Sequence, residues 1–428
     1  MMVRATLLSL FLIIDTYVLL FLIASINEKE KRAAFFSFIF ILLSLVFLLS
    51  TFPVWLYWAI TTIILLFCAL LFIPFGKRSR IEIIGLKSRY DERDIMFARA
   101  NYEQGSFQYS DYYAKHPEKK KVDDRVRAMP ELLSPGGECY EPIDAACAAC
   151  NFALTEKLIP LCDGEPGSPM QINPAALTKK LKEMTMSLGA VDVGVAQLDA
   201  AHVYSHVGRR LPEYGTPIHL NHSHILVFAV EMDYETMQGA PQMPVVVESS
   251  KKYLQSATIA VALASCIRSF GYNARAHIDG NYLLPLPAAA VDAGLGEIGR
   301  IGYLIHPTYG ARIRLAAVST DMPISVDQPI AFGVQDFCRI CKKCAEFCPS
   351  GAISHGEEKT VRGVRKWSTH QEVCYRYWRT VGTDCGICMR VCPYSKPANF
   401  AHNFIRFMIR QNPVGRRVAV WGDKLLYD

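Results

Sequence analysis

Three apolar runs near the start of the chain, residues 5 to 25, 33 to 52 and 54 to 75, restrict its fold more than any other feature. Each is about twenty residues long, the length at which a helix crosses a hydrocarbon layer ~30 Å thick. No water reaches a backbone in lipid, so each run must satisfy its own hydrogen bonds as a helix. A membrane anchor of three transmembrane helices is therefore expected over residues 1–80. Asp15 is the one charged side chain within the runs, and it is expected to pair with a neighbouring helix. The last two runs share a tight turn at Thr51, Phe52 and Pro53.

Orientation follows from the short flanks. The first loop carries Lys29, Lys31 and Arg32, and the stretch after the third run carries Lys77, Arg78 and Arg80; the start of the chain offers only Arg4. Basic residues stay on the cytoplasmic side, so a multi-pass inner-membrane protein with its main body in the cytoplasm is expected. Neither a signal-peptide cleavage site nor paired arginines for export are evident near the start. The formal charge of +6 is partly this juxtamembrane cluster, which suits an anionic leaflet better than nucleic acid. No nucleic-acid partner is expected.

The other end of the chain holds eight of the fourteen cysteines. They run as Cys338-x2-Cys341-x2-Cys344-x3-Cys348-Pro349, then Cys374 and Cys385-x2-Cys388-x3-Cys392-Pro393. Each iron of a [4Fe-4S] cube needs a thiolate, and gaps of two and three residues let one loop wrap a cube face. Zinc sites and disulfide frameworks rarely show three cysteines at two-residue gaps closed by Cys-Pro. Because the fourth cysteine of each run crosses over in two-cluster ferredoxins, Cys338, Cys341, Cys344 and Cys392 are expected to hold one cluster, and Cys348, Cys374, Cys385 and Cys388 the other. Cys374 stands further ahead of Cys385 than a bacterial ferredoxin would place it. Cys139, Cys147, Cys150 and Cys162 read as buried thiols of a reducing compartment.

Between these ends the sequence divides into a connecting arm (81–137), a catalytic core (138–330) and a ferredoxin-type domain with a C-terminal tail (331–428). Short stretches rich in β-branched residues at 191 to 198, 224 to 232 and 311 to 320 predict strands. Helical patterns at 175 to 188 and 250 to 270 lie between them, giving an α/β or α+β core. Gly294-x-Gly296-x-x-Gly299, with Asp321 beyond it, formally matches a dinucleotide fingerprint. The preceding AAAVDA reads as helix, however, whereas that fingerprint must leave a strand. His222 and His224 read as core or surface histidines rather than a metal pair.

The run AGLGEIGRIGYLIHPTYGARIRLAAVSTDMPI (293 to 324), followed by DFCRICKKCAEFCPSGAI (336 to 353), resembles the reductive dehalogenases, corrinoid iron-sulfur enzymes. The likeness extends through SFGYNARAH (269 to 277) and TDCGICMRVCPYS (383 to 395). Epoxyqueuosine reductases share part of it as more distant relatives. The resemblance implies a nitroreductase-like cobalamin-binding core, with base-off cobalamin fed electrons by two [4Fe-4S] clusters. It also implies a proton-donating tyrosine at Tyr253 and a basic partner at Arg314 or its strand neighbour Arg312. Asn281 would be a polar pocket group, and His277, Gly294, Gly296, Gly299, Thr320 and Asp321 would lie against the cofactor. A cation beside Tyr253 is expected to lower its pKa and ease proton delivery.

The reading that follows is a membrane-anchored corrinoid iron-sulfur reductase that removes halide from a small-molecule organohalide. Only about 35 residues follow Cys392, too few for a fused flavin domain, so the donor would be a ferredoxin, a flavodoxin or a membrane quinol system. The alternatives are cobalamin-dependent reduction of a non-halogenated substrate and a membrane electron-transfer protein without a substrate. A carrier, however, needs only the clusters and no large core.

Overall fold

The computed structural model describes residues 2–50, 52–85, 87–168, 170 and 173–427, so Thr51 of the expected turn lies outside the described residues. The chain forms two compact units. One comprises Met1–Ser79, Asp336–Cys341 and Lys396–Asp428, and the other Arg80–Gln335 and Lys342–Ser395.

In the first unit, helices α1 (Met2–Asn27), α2 (Lys31–Leu49) and α3 (Val54–Phe72) follow the three apolar runs. All three are long and apolar enough to cross a membrane. Leu12, Ile13, Leu43 and Leu66 are more than 60 % exposed on them, a surface that costs little only against lipid. Asp15 of α1 accepts a hydrogen bond from Ser44 of α2 at 2.7 Å.

Two further helices, Phe400–Gln411 and Pro413–Tyr427, belong to the same unit. The expected segmentation assigned them to a tail of the ferredoxin-type domain; by their contacts they group with the anchor. Both are strongly amphipathic and must bury one face. That face meets the anchor: the Tyr17 ring of α1 packs at a tilt on Phe404 with centroids 4.8 Å apart, and Phe72 of α3 lies 5.7 Å from the same ring. Asn412 joins the elements. Its amide donates to the carbonyls of Leu70, Leu71 and Ile73 at 2.9–3.1 Å, groups that the end of α3 leaves without helical partners. Its Oδ1 caps the next helix by accepting from the N–H of Val414 and Gly415.

The second unit is built on four antiparallel strands, β1 (Asp192–Gln197), β2 (His224–Glu231), β3 (Ala274–His277) and β4 (Ile313–Thr320), in the order β1-β2-β4-β3. Alternation along β2 separates two cores. Leu226, Phe228 and Val230 pack with Ala316 and Val318 against a long helix, Met243–Ser269. Ile225, Val227 and Ala229 pack with Ala317 against a short helix, Leu286–Asp292. The long helix starts with Pro244 in its first turn, where a missing N–H costs nothing. It stops before Gly271, at φ 87°, a conformation that admits glycine without a Cβ penalty.

The segment expected as a connecting arm is folded into this unit. Glu82–Ile83 pairs with Val364–Lys366, and helices Phe107–Lys115 and Pro117–Arg127 enclose a buried Arg99–Asp123 ion pair at 2.6 Å. Its aromatic residues explain the difference: Tyr102, Tyr112 and Tyr113 are buried together, and a linker has no such core. Two of the thiols expected to be buried, Cys147 and Cys150, are exposed on helix Pro142–Lys157, whereas Cys162 is buried. That helix buries Ala145, Ala148 and Thr155, a periodicity that turns both cysteines outward.

Candidate active site

Ser249 and Tyr253, four residues apart on the long helix, share one of its faces. Arg314 pairs in register with Val230 and therefore projects from the sheet face that this helix covers. These two periodicities bring the three side chains together. The Arg314 guanidinium carbon lies 5.0 Å from the Tyr253 ring centroid. Its Nη2 donates to Ser249 Oγ at 2.6 Å and to Asp384 Oδ2 at 3.0 Å, so its orientation is set from both sides.

Burial governs the electrostatics here. It raises the Tyr253 pKa above the usual tyrosine value, and the Arg314 cation only partly opposes it. The expected lowering is thus reversed, because removing phenolate from water costs more than one nearby cation returns. Burial likewise holds the Asp384 carboxyl above its usual range against the pull of Arg314.

Tyr253, Arg314 and Asp384 line a cavity of about 350 Å³, within the size class of small-molecule sites. Cys348, Cys374, Cys385 and Cys388 line the same cavity. These are the four residues expected to hold the second cluster. Burial and the charges of neighbouring thiols push Cys374 up to about 12, and burial chiefly pushes Cys385 up to about 11. Cys348 departs from this pattern: against partial burial, hydrogen bonds from Ser350 and from the nearby backbone hold it below the usual thiol value. The backbone turns sharply at the same place: Cys385 and Gly386 are both left-handed, at φ 56° and 75°, and in a cysteine that conformation costs about 1–2 kcal/mol. Of the other expected ligands, Cys338 and Cys341 belong to the first unit and Cys344 and Cys392 to the second.

The remaining expected site residues do not line this cavity. Arg312 precedes β4, where a turn redirects it. It is fully buried, donating to Ser395 O at 2.5 Å and pairing with Glu231 at 3.0 Å. Asn281 accepts from Arg275 at 2.9 Å, and Arg275 in turn pairs with Asp163. His277 is buried against Ser319 Oγ at 2.8 Å, and burial holds its pKa well below the usual value, so it is neutral. Thr320 and Asp321 tie the end of β4 to Asn273. Gly294 and Gly296 permit close backbone approach, since a Cβ would meet Gln328 O at 2.6 Å and Ile305 O at 2.2 Å respectively. The Gly299 N–H donates to Tyr303 O.

Sequence reasoning missed Ser249 and Asp384, as well as the cavity residues Arg209, Asp279, Tyr282 and Tyr303. Ser249 carried a signal, its four-residue helical spacing from Tyr253. Asp384 stands directly before Cys385, but nothing local tells where its carboxylate points.

The cysteine-lined cavity beside a tyrosine–arginine pair defines the class, an iron-sulfur protein with a buried site at one of its cysteine loops. A 4Fe-4S dicluster domain matches residues 337–396. The chain is 31% identical over 276 residues to a tetrachloroethene reductive dehalogenase of Desulfitobacterium hafniense, covering 54% of this chain and 50% of that protein. An epoxyqueuosine reductase of Lactococcus garvieae is 33% identical over 133 residues, 30% of this chain and 36% of that protein. Among solved structures, a catabolic reductive dehalogenase in complex with 3-bromo-4-hydroxybenzoic acid superposes with a TM-score of 0.67 at 26% identity, covering 83% of this chain and 49% of that one. The chain is therefore similar to reductive dehalogenases over about half its length, and to an epoxyqueuosine reductase over a shorter stretch. It spans about half the length of the curated Desulfitobacterium hafniense dehalogenase.

Proposed function

We propose that this chain is a membrane-anchored corrinoid iron-sulfur reductase that replaces halogen by hydrogen in a small organohalide: R–X + 2e⁻ + H⁺ → R–H + X⁻. The observation that carries this reading is the shared cavity, on which Tyr253 with its Arg314 partner and the four cysteines of one cluster all open. A proton donor and an electron entry point meet at one buried place. A pure electron carrier has no use for the first.

Cobalamin fits the residues present. The cavity wall is mainly apolar and aromatic, which suits contact with the face of a corrin ring. Asp384 Oδ1 is buried without a hydrogen-bond donor among the described residues, and the carboxamides around a corrin rim are such donors. Residues such as Leu284, Leu286, Ile313 and Tyr303 would bear on the macrocycle. When bound, cobalamin supplies the low-potential metal centre at which a carbon–halogen bond is reduced.

The chain's own groups do the rest. The cluster cysteines bring one-electron carriers to the cavity wall. The Tyr253 hydroxyl delivers the proton to substrate carbon, and Arg314 stabilises the phenolate left behind. Ser249 and Asp384 keep that guanidinium over the ring. The basic flanks at Lys29, Lys31, Arg32, Lys77, Arg78 and Arg80 favour an inner-membrane protein with its cavity unit in the cytoplasm, where a ferredoxin, a flavodoxin or a membrane quinol system would supply electrons.

The test is halide release by the full chain, anaerobically reconstituted with iron, sulfide and cobalamin and driven by a chemical reductant. Substrates are 3-bromo-4-hydroxybenzoate and tetrachloroethene. Halide release with one of them supports the reading. Full loading of both cofactors with no halide from either leaves a reductase of non-halogenated substrates in its place.

A further inference from the structure

The two C-terminal helices place an outward surface whose composition is unusual for contact with water. On Phe400–Gln411, Phe400 and Phe407 are 63% and 43% exposed. On Pro413–Tyr427, Trp421 is 67% exposed, and Arg417 and Lys424, at i−4 and i+3 from it, are exposed as well. Residues at these spacings share one helix face. The second helix therefore presents a cation–tryptophan–cation stripe, and the first presents two phenylalanines two turns apart.

The position of the pair identifies what these side chains meet. Tyr17 lies roughly 15 Å along α1 from Asn27 at 1.5 Å rise per residue, yet its hydroxyl donates to Ala401 O at 3.2 Å and its ring packs on Phe404. Phe72, the last residue of α3, packs on Phe404 and Phe407. The pair thus packs along about the last three turns of α1 and against the final residue of α3, beside the ends of helices long and apolar enough to cross a membrane. It also lies on the side that carries the basic flank. Glu28, in the α1–α2 loop next to Lys29 and Lys31, pairs with His402 at 2.9 Å, and Glu30 pairs with Lys396 at 2.9 Å. A stripe on that side would meet an anionic leaflet if the basic flank does.

We propose that the helix pair Phe400–Tyr427 is an interfacial membrane element, with Phe400, Phe407 and Trp421 set among the lipid head groups of an anionic leaflet and Arg417 and Lys424 on their phosphates. Tryptophan, whose ring has a polar N–H edge, concentrates at that depth, phenylalanines of such helices enter the boundary between head groups and acyl chains, and basic residues beside them add attraction to anionic lipid. The anchor then has five helices, three spanning and two lying in the interface. This inference rests on α1–α3 spanning a membrane and is independent of the chemistry of the cavity.

The test uses the full chain in nanodiscs of phosphatidylcholine alone or mixed with phosphatidylglycerol, with lipids brominated near the head group. Trp421 emission is read as the difference between the native chain and Trp421→Phe. The expected result is quenching of that emission by bromolipid, roughly two-fold deeper with phosphatidylglycerol present, and little quenching by aqueous iodide. Replacing Arg417 and Lys424 by glutamine should abolish the dependence on phosphatidylglycerol. Quenching by iodide instead places the stripe in water and overturns the proposal. Protection from both quenchers also overturns it, because the stripe is then covered by protein, such as a second copy of this chain. Bromolipid quenching that ignores phosphatidylglycerol overturns the anionic part.

Discussion

The Arg314 guanidinium stands 5.0 Å from the centre of the Tyr253 ring and is held there by Ser249 and Asp384. A cation so placed favours the phenolate that proton transfer leaves behind. Tyr253→Phe keeps the ring and removes the hydroxyl. Turnover of the loaded enzyme is expected to fall by about 10²–10⁴ with cofactor content unchanged. Steady-state halide release alongside cofactor spectra checks this, and native turnover in the variant would exclude Tyr253 as the acid.

Arg314→Met should depress turnover in the same direction and combine non-additively with Tyr253→Phe, since both act on one proton transfer. Arg312→Met is the contrast. That guanidinium is spent on Ser395, Glu231 and Met232; Glu231 is partly exposed and can return to water, so the loss should lower stability by about 1–3 kcal/mol, the cost of leaving buried carbonyls without their donor. Thermal or denaturant unfolding separates this from a kinetic effect on what remains folded.

The pH dependence has a defined sign. Burial raises the Tyr253 pKa above its ordinary value, so the hydroxyl keeps its proton throughout the neutral and mildly alkaline range. No alkaline loss of rate from this residue is expected below about pH 10. An alkaline limb below pH 9 that disappears in Tyr253→Phe would contradict the raised value.

Reconstituted protein should bind about eight irons, four per cluster. Cys374→Ala, which removes one thiolate from the cavity wall, should leave about four and a lower electron-transfer rate. Iron analysis with electron paramagnetic resonance decides it. A native count near four sinks the two-cluster assignment.

In the anchor, Asn412→Ala leaves three carbonyls and two N–H groups without their partner. A loss of about 1–3 kcal/mol is expected, read as a lower unfolding midpoint in detergent. Asn412→Asp keeps the acceptor but sets an oxygen against those three carbonyls in a buried site, so it should lose at least as much. For orientation, an impermeant thiol reagent applied to intact cells should reach a cysteine at Val54 and miss one at Ser110. The reverse pattern inverts the topology.

The anchor helices were legible from the sequence, because a run that must satisfy its own backbone in lipid has one solution. Strands β1, β2 and β4 and the long helix were legible from their periods, and the cysteine loops from the fixed geometry of a thiolate-bound cube. What the sequence could not say was where side chains distant along the chain meet. Arg312 and Arg314 have the same parity and charge, and only the turn before β4 sends one into the core and the other over Tyr253. Asp384 reads as a loop acid until the fold carries it to Arg314, seventy residues away. The raised Tyr253 pKa reversed a local expectation for the same reason: a neighbouring cation is visible in sequence, whereas desolvation is a property of the whole packed interior. The tail read as an extension of the cysteine domain became part of the anchor because amphipathic period reveals that a face will be buried, not which partner buries it.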